Sequence, residues 1–261
     1  MRNGPSRWHS WSATAPAVAG AWPAETPARF AAWAALAAGG RPVSTGEICA
    51  CWQCVLPLPA GDTVVYVKRY RSPGRPWRYW GRPARAMVEW RNCRAWQRLG
   101  LPGPEPWAAG ECRPGGRFLE GWLMTRGIPD TLSVAELLRT RSCASLGAAA
   151  GEALVDRLAA LAAAAHRAGF FHRDLKVRNI LVRLGAAEAP PELWWIDCPR
   201  GGFFPAFHRA LAVADLADMG YGLRKWLPPA LWQRLLERHA AASGLAGLAA
   251  AVNARVDCGE G

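Results

Sequence analysis

The octapeptide His172-Arg173-Asp174-Leu175-Lys176-Val177-Arg178-Asn179 constrains this 261-residue chain more than any other stretch. Phe170-Phe171 introduces it, and Ile180-Leu181-Val182, which reads as a strand, follows it. It places a carboxylate five residues before an amide. At that spacing one loop can aim a base at a substrate hydroxyl while the amide holds a phosphate-bound magnesium ion. The chemistry this points to is phosphoryl transfer.

The distribution of positive charge adds a second signal. There are 29 arginines and only three lysines, at positions 68, 176 and 225. Lys68 follows Val64-Val65-Tyr66-Val67 and is expected at the end of a β-strand; Lys176 lies two residues after Asp174. An ammonium differs from a guanidinium in reach and geometry, so the exemption of Lys68 and Lys176 from the arginine bias points to use of the ammonium at each.

Composition sets wider bounds. A chain of this length with 51% hydrophobic residues can fill a sizeable core as one large domain or two lobes. The net charge of +12 attracts polyanions, and the stretch from Lys68 to Arg98 is densest in arginine. Trp52 precedes this stretch and Trp77, Trp80, Trp90 and Trp96 run through it, but no RNA-binding signature accompanies them, and no nucleic-acid partner is expected. Eight cysteines without a secretory signal are expected to be free thiols in a reducing cytoplasm. Cys51-Trp52-Gln53-Cys54 has no second ligand pair at zinc spacing and reads as part of a strand. No apolar run reaches the roughly 18 residues that a membrane span requires.

Along the chain, residues 1–27 read as a loosely ordered extension, and a short helix is expected over 28–38, closed by Gly39-Gly40. A hairpin follows over 43–67, then a helix over 83–99 carrying Glu89, 21 residues after Lys68. A strand over 118–125 leads into Arg126-Gly127-Ile128-Pro129, which reads as a hinge whose backbone would hydrogen-bond adenine. Two helices, 134–139 and 146–168, precede the octapeptide, and the strand Leu193-Trp194-Trp195-Ile196 ends at Asp197. Strand, loop and strand are expected to bring Asp174, Asn179 and Asp197 to one edge.

Over residues 41–225 these features resemble the protein-kinase-like superfamily, and the short, arginine-rich form looks most like the bacterial lipopolysaccharide core kinases that phosphorylate heptose or Kdo sugars. The resemblance implies an α+β, bilobal protein-kinase-like fold with a small β-rich N-lobe and a mainly helical C-lobe. The expected division is an extension over 1–40, the N-lobe over 41–126 and the C-lobe over 127–261. It also implies ATP and Mg2+ as cofactors. By resemblance Asp174 is the catalytic base, Asn179 and Asp197 are the magnesium ligands, Lys68 holds the nucleotide phosphates and Glu89 is its ion-pair partner. Lys176 would neutralise charge on the transferring phosphoryl group. Asp215 would accept hydrogen bonds from the loop backbone or, equally, cap a helix.

The chain departs from the protein-kinase pattern at three places. Ser44-Thr45-Gly46-Glu47 offers a single glycine where a GxGxxG is usual, Asp197 is followed by Cys198-Pro199, and only 17 residues separate Asp197 from Asp215. A segment that short cannot form a platform for an extended peptide, so a small or carbohydrate acceptor fits better, and the resemblance implies a sugar hydroxyl of lipopolysaccharide core. The expected location is the cytoplasm, with peripheral contact to anionic lipid at the inner membrane face through Arg and Trp. A protein Ser/Thr kinase, a kinase of another small molecule, and a pseudokinase acting as a binding module are the alternatives.

Overall fold

A computed structural model of the protein describes residues 6–12, 26–74, 76–140, 148–185 and 189–259. The chain divides into two units: residues 1–95 with 104–129, and residues 96–103 with 130–261.

The first unit is built on an antiparallel six-stranded sheet in the order β1-β5-β6-β4-β3-β2. Its strands are β1 (Ser6–Ser12), β2 (Arg41–Thr45), β3 (Cys49–Leu56), β4 (Thr63–Arg71), β5 (Pro106–Pro114) and β6 (Glu120–Arg126). Among the described residues two helices belong to this unit, α1 (Thr26–Ala38) and most of α2 (Arg85–Leu99). Side chains alternate across a strand, and β4 shows the consequence. Val65 and Val67 join Phe30 and Trp33 of α1 in one buried cluster, whereas Tyr70 joins Met87 and Trp90 of α2 in another. The strand therefore sends its odd positions toward α1 and its even positions toward α2. Lys68 is even.

Two strands depart from the expectation. Residues 6–12, read from sequence as loosely ordered, pair with β5 from Ser6↔Pro114 to Ser12↔Ala108. Strand β5 itself was not anticipated: Ala108-Ala109-Gly110 carries none of the β-branched alternation that marks a strand. It lies between β1 and β6 and is buried along most of its length, so small residues suffice there. Lys68 lies inside β4, which continues to Arg71 because Tyr70 and Arg71 still pair with Gly121 and Glu120. Cys51 and Cys54 lie three apart on β3 and so face opposite sides, which excludes a shared metal. The described cysteines are free thiols; Cys143 lies outside the described residues.

The second unit is mainly helical, with α3 (Val134–Thr140), α4 (Ala148–Arg167), α5 (His208–Leu223), α6 (Pro229–Ser243) and α7 (Ala249–Gly259). In α4, Leu154, Val155, Leu158, Leu161, Ala162 and Ala165 form a buried stripe at helical spacing. Gly169, at φ 75°, ends that helix in the left-handed conformation glycine favours. Among the described residues the unit also has two small sheets. One has the order β10 (Glu192–Trp195), β9 (Ile180–Arg183), β7 (Leu132–Ser133), and the other pairs β8 (Phe170–Phe171) with β11 (Gly202–Phe203). Among the described residues no helix is long and apolar enough to cross a membrane.

Candidate active site

The octapeptide spans the gap between β8 and β9, both of which are paired, so its ends are fixed. Three backbone bonds shape its interior. Lys176 N donates to Asp174 O at 2.9 Å, Asn179 N to Lys176 O at 2.8 Å, and Ile196 N to Asn179 O at 2.9 Å. The last bond extends the Trp195↔Ile180 register, bringing the end of β10, and with it Asp197, beside Asn179.

Within this loop Asp174, Lys176 and Asn179 touch. Lys176 Nζ lies 2.8 Å from Asp174 Oδ1, and Asn179 Nδ2 donates to Asp174 O at 2.9 Å and to Oδ2 at 3.3 Å. The Asp174 side chain keeps 21% of its surface exposed while Asn179 is buried, so the carboxylate is oriented on both oxygens yet still accessible. Because the Asn179 amide nitrogen is committed to Asp174, its Oδ1 is the atom left to meet a cation. Asn179 Oδ1 and the Asp197 carboxylate are hard oxygen donors, the kind that suits Mg2+, an ion that retains waters and phosphate oxygens around one or two protein ligands. Among the described residues no group of three or more His, Cys, Asp or Glu side chains is placed to hold a metal ion.

The loop is held from beneath by a buried carboxylate. Asp215, in the interior of α5, accepts from His172 N at 2.8 Å and from Arg173 N at 2.7 Å. Of the two readings left open by the sequence, backbone bracing is the one observed, since Asp215 is no helix-terminal residue. Arg173 and Asp197 both adopt positive φ, 62° and 58°. Such backbone costs non-glycine residues roughly 1–3 kcal/mol and persists only where the surroundings enforce it. At Arg173 the enforcing group is Asp215. Helix α5 approaches the loop closely because residue 222 is glycine: a Cβ there would lie 2.3 Å from Val177.

His172 is buried between Trp96, which stacks on it at 5.8 Å, and Trp195. Its Nε2 donates to Ile196 O at 3.1 Å, and its Nδ1 has no hydrogen-bond partner among the described residues. Burial pushes its basicity down, opposed by Asp215, Asp174 and Asp197, so the ring is a neutral brace.

Other residues that the sequence reading missed complete the surroundings. His166 Nε2 lies 3.3 Å from Asp215 Oδ2, and His166 Nδ1 lies 2.9 Å from His239 Nε2. All three side chains are buried. If His166 donates to Asp215, its Nδ1 must accept from His239, leaving His239 Nδ1 unprotonated, in keeping with that atom's having no partner among the described residues. Burial, with His166 adding to it, pushes the His239 pKa down to about 4. Half-buried Asp218 also faces Lys176 and Asp174; burial raises its carboxyl above the usual range, Lys176 opposes this and Asp174 adds to it. Its place one helical turn after Asp215 was the available signal.

In the first unit, Lys68 and Glu89 meet as their parities and spacing require. Lys68 Nζ lies 2.6 Å from Glu89 Oε1, with 14% and 3% of the side chains exposed. The hydroxyl of Tyr70 donates to Glu89 Oε2. Both oxygens of the buried carboxylate are thus engaged, one by the ammonium and one by the phenol. Tyr70, two residues beyond Lys68 and so on the same strand face, was not singled out from sequence. The buried Cys93 thiol, one helical turn after Glu89, is pushed up chiefly by burial and then by that carboxylate. The turn between β2 and β3 holds only Gly46, Glu47 and Ile48, and a Cβ at Gly46 would lie 2.9 Å from Cys49 O, so this glycine permits the tight turn.

A small antiparallel sheet with a helical remainder, carrying an acid-amide loop and a strand lysine, defines a protein-kinase-like phosphotransferase. The model of the lipopolysaccharide kinase (Kdo/WaaP) family matches residues 75–238, well over half of the chain, and the chain belongs to that family. It is therefore a kinase. The fold is similar to a solved structure of WaaP in complex with acyl carrier protein, at 20% sequence identity and a TM-score of 0.70, over 92% of this chain and 95% of that one. Among curated proteins none matches the sequence.

Proposed function

We propose that this protein transfers the γ-phosphoryl group of ATP to a sugar hydroxyl of lipopolysaccharide core, on heptose or Kdo, with Asp174 as the base. The observation that carries the reading is the Asp174 carboxylate, part exposed and oriented by Lys176 and Asn179 on a braced loop. Asp174 accepts the proton of the acceptor hydroxyl as that oxygen bonds to phosphorus, the bond from phosphorus to the β-phosphate oxygen breaks, and ADP departs. Lys176 offsets negative charge on the moving phosphoryl group. Lys68, oriented by Glu89, holds nucleotide phosphates. Asn179 and Asp197 would hold Mg2+, which when bound neutralises phosphate charge.

The segment after Asp197 supports a small acceptor. Cys198 Sγ donates to His172 O, a Cβ at Gly201 would lie 2.7 Å from Phe171 O, and Gly202–Phe203 is paired with β8 before α5 begins at His208. It is short and anchored to β8 and to the loop before it. The same chemistry requires the cytoplasmic pool of ATP and, for a lipid-linked acceptor, contact with an anionic membrane. Acyl carrier protein, present in the solved WaaP structure, is the protein partner to test, by co-purification.

Purified protein should label core oligosaccharide from γ-labelled ATP in the presence of Mg2+. Asp174→Ala should lower the rate by about 10²–10⁴-fold while thermal unfolding is unchanged. Undiminished transfer by that variant would remove Asp174 as base. Labelling of a protein or another small acceptor instead of the oligosaccharide would replace the sugar reading, and failure of ATP with Mg2+ to raise the melting temperature would favour a pseudokinase.

A further inference from the structure

The surface around Trp77 and Trp80 is built in two halves, one that anchors and one that projects. Trp77 lies in a 3₁₀ turn over Pro76–Tyr79, and Trp80 follows it. The anchoring half is Tyr79, buried with Ala84 and Phe118; the Tyr79 and Phe118 rings lie 4.7 Å apart. Arg113 grips the same turn, donating to Tyr79 O at 3.0 Å and Arg82 O at 2.7 Å, and is itself paired with Glu111 at 2.6 Å. Glu111 also accepts from Ala84 N at 3.1 Å. The turn is fixed, and its outward side chains are consequently presented in one arrangement.

The projecting half is apolar and cationic. Trp77 is 60% exposed, Trp80 64% and Leu119, at the end of the neighbouring β5–β6 turn, 57%. A soluble surface seldom leaves two fixed indoles outside without a partner. The rings stack on each other at 4.9 Å, and the Arg117 guanidinium lies 5.7 Å from the Trp77 centroid. Arg82 and Arg117 are exposed. Between Lys68 and Leu101 the only acidic residue is Glu89, which is buried against Lys68, and Glu111 is buried against Arg113. Glu120, next to Leu119, lies 3.6 Å from Arg71 and accepts from Trp122 Nε1 at 3.1 Å, so among the described residues of these segments each carboxylate has a cationic partner.

We infer that this surface docks the protein on an anionic phospholipid bilayer. Indole rings favour the headgroup level, where an apolar body and a polar N–H are both accommodated, and arginines beside them meet lipid phosphates. Single-stranded nucleic acid fits less well. A base needs an open ring face, whereas these two rings cover each other and Arg117 lies over Trp77. The inference deepens the reading above, since a lipid-linked acceptor requires the enzyme at a membrane. Its test needs neither ATP nor acceptor, so the two can fail separately.

The full chain should float with vesicles of phosphatidylcholine and phosphatidylglycerol in equal parts and remain behind with phosphatidylcholine alone. The Trp77→Ser/Trp80→Ser double variant should lose at least about tenfold in partitioning to the mixed vesicles, each exposed indole removed being one interfacial anchor. Its transfer to soluble core oligosaccharide should match the parent. Leu119→Glu, which places a carboxylate on the same surface, should also abolish flotation and serves if the double variant fails to fold. Equal flotation of the parent and either folded variant, equal flotation with neutral vesicles, or no flotation of the parent would overturn the proposal. A single-stranded oligonucleotide that binds the parent in preference to the mixed vesicles, and is lost in the double variant, would overturn it in favour of nucleic acid.

Discussion

Asp174 and Lys68 are held by different means. The loop that carries Asp174 is fixed through its backbone by groups far away in sequence: Asp215 on α5 accepts from two successive amides, His166 on α4 reaches Asp215, and His239 on α6 reaches His166. Lys68 is fixed through its own side chain, by Glu89 and, through Glu89, by Tyr70. The first arrangement is a chain of buried polar groups whose members all brace one loop shape. The second is a compact triad whose alignment follows from strand parity and one helix. Damage to the bracing chain should therefore appear in both stability and activity, and damage to the triad chiefly in activity.

The largest effect is expected at Asp215. Asp215→Ala leaves the His172 and Arg173 amides buried without an acceptor and removes what holds Arg173 in its left-handed conformation. Each buried group left unsatisfied costs about 1–3 kcal/mol, so the loss of unfolding free energy should be several kcal/mol. Denaturant unfolding measures it, and transfer should be lost as well. A variant of unchanged stability would show that the loop keeps its shape without the carboxylate.

Lys68→Met should cut transfer by about 10²–10³-fold, as expected for loss of a group that positions and neutralises phosphate. Glu89 would be left with Tyr70 in a buried setting, so the comparison requires Lys68→Met/Glu89→Gln, which removes both charges. If the triad works chiefly through Lys68, the double variant should recover stability but not rate. Recovery of rate would mean that the pair is structural only.

How legible these two regions were in the sequence follows the same division. The octapeptide is contiguous, and Lys68 and Glu89 are joined by one strand and one helix whose periods can be read, so their contact could be anticipated. Asp215 came into view only through resemblance. His166 and His239 did not, because a histidine on an apolar helix face looks the same whether it packs alone or meets another 73 residues away. The same limit hid β1 and β5. A strand of Ala and Gly covered on both faces carries no alternation, and residues 6–12 gain their structure by pairing with it.

His239 offers a smaller effect that probes the bracing chain without breaking it. Its pKa falls from 6.5 to about 4 on folding, so the unfolded chain binds more protons between those values. The associated stability is fully present above pH 6.5 and is lost as pH falls toward 4. A shift of that size corresponds to about 3 kcal/mol. His239→Gln can still donate to His166 Nδ1 but does not titrate. Its melting temperature should decline less than the parent's between pH 6.5 and 4. Parallel curves for the two proteins would mean that His239 is protonated in the folded state as readily as out of it.

The smallest effect belongs to Tyr70, and it bears most directly on the contrast between the two regions. Tyr70→Phe keeps the ring that packs with Met87 and Trp90 and removes only the hydroxyl donated to Glu89 Oε2. A single hydrogen bond to a charged group contributes about 1.5–3 kcal/mol at most, and Glu89 keeps its ion pair with Lys68. If the triad is self-contained, the loss should appear as a higher KM for ATP with kcat little changed, because Lys68 is then less firmly aimed but still present. A fall in kcat with unchanged KM would instead show that Glu89 acts beyond its pairing with Lys68, and the separation between a backbone-braced loop and a side-chain triad would no longer describe this molecule.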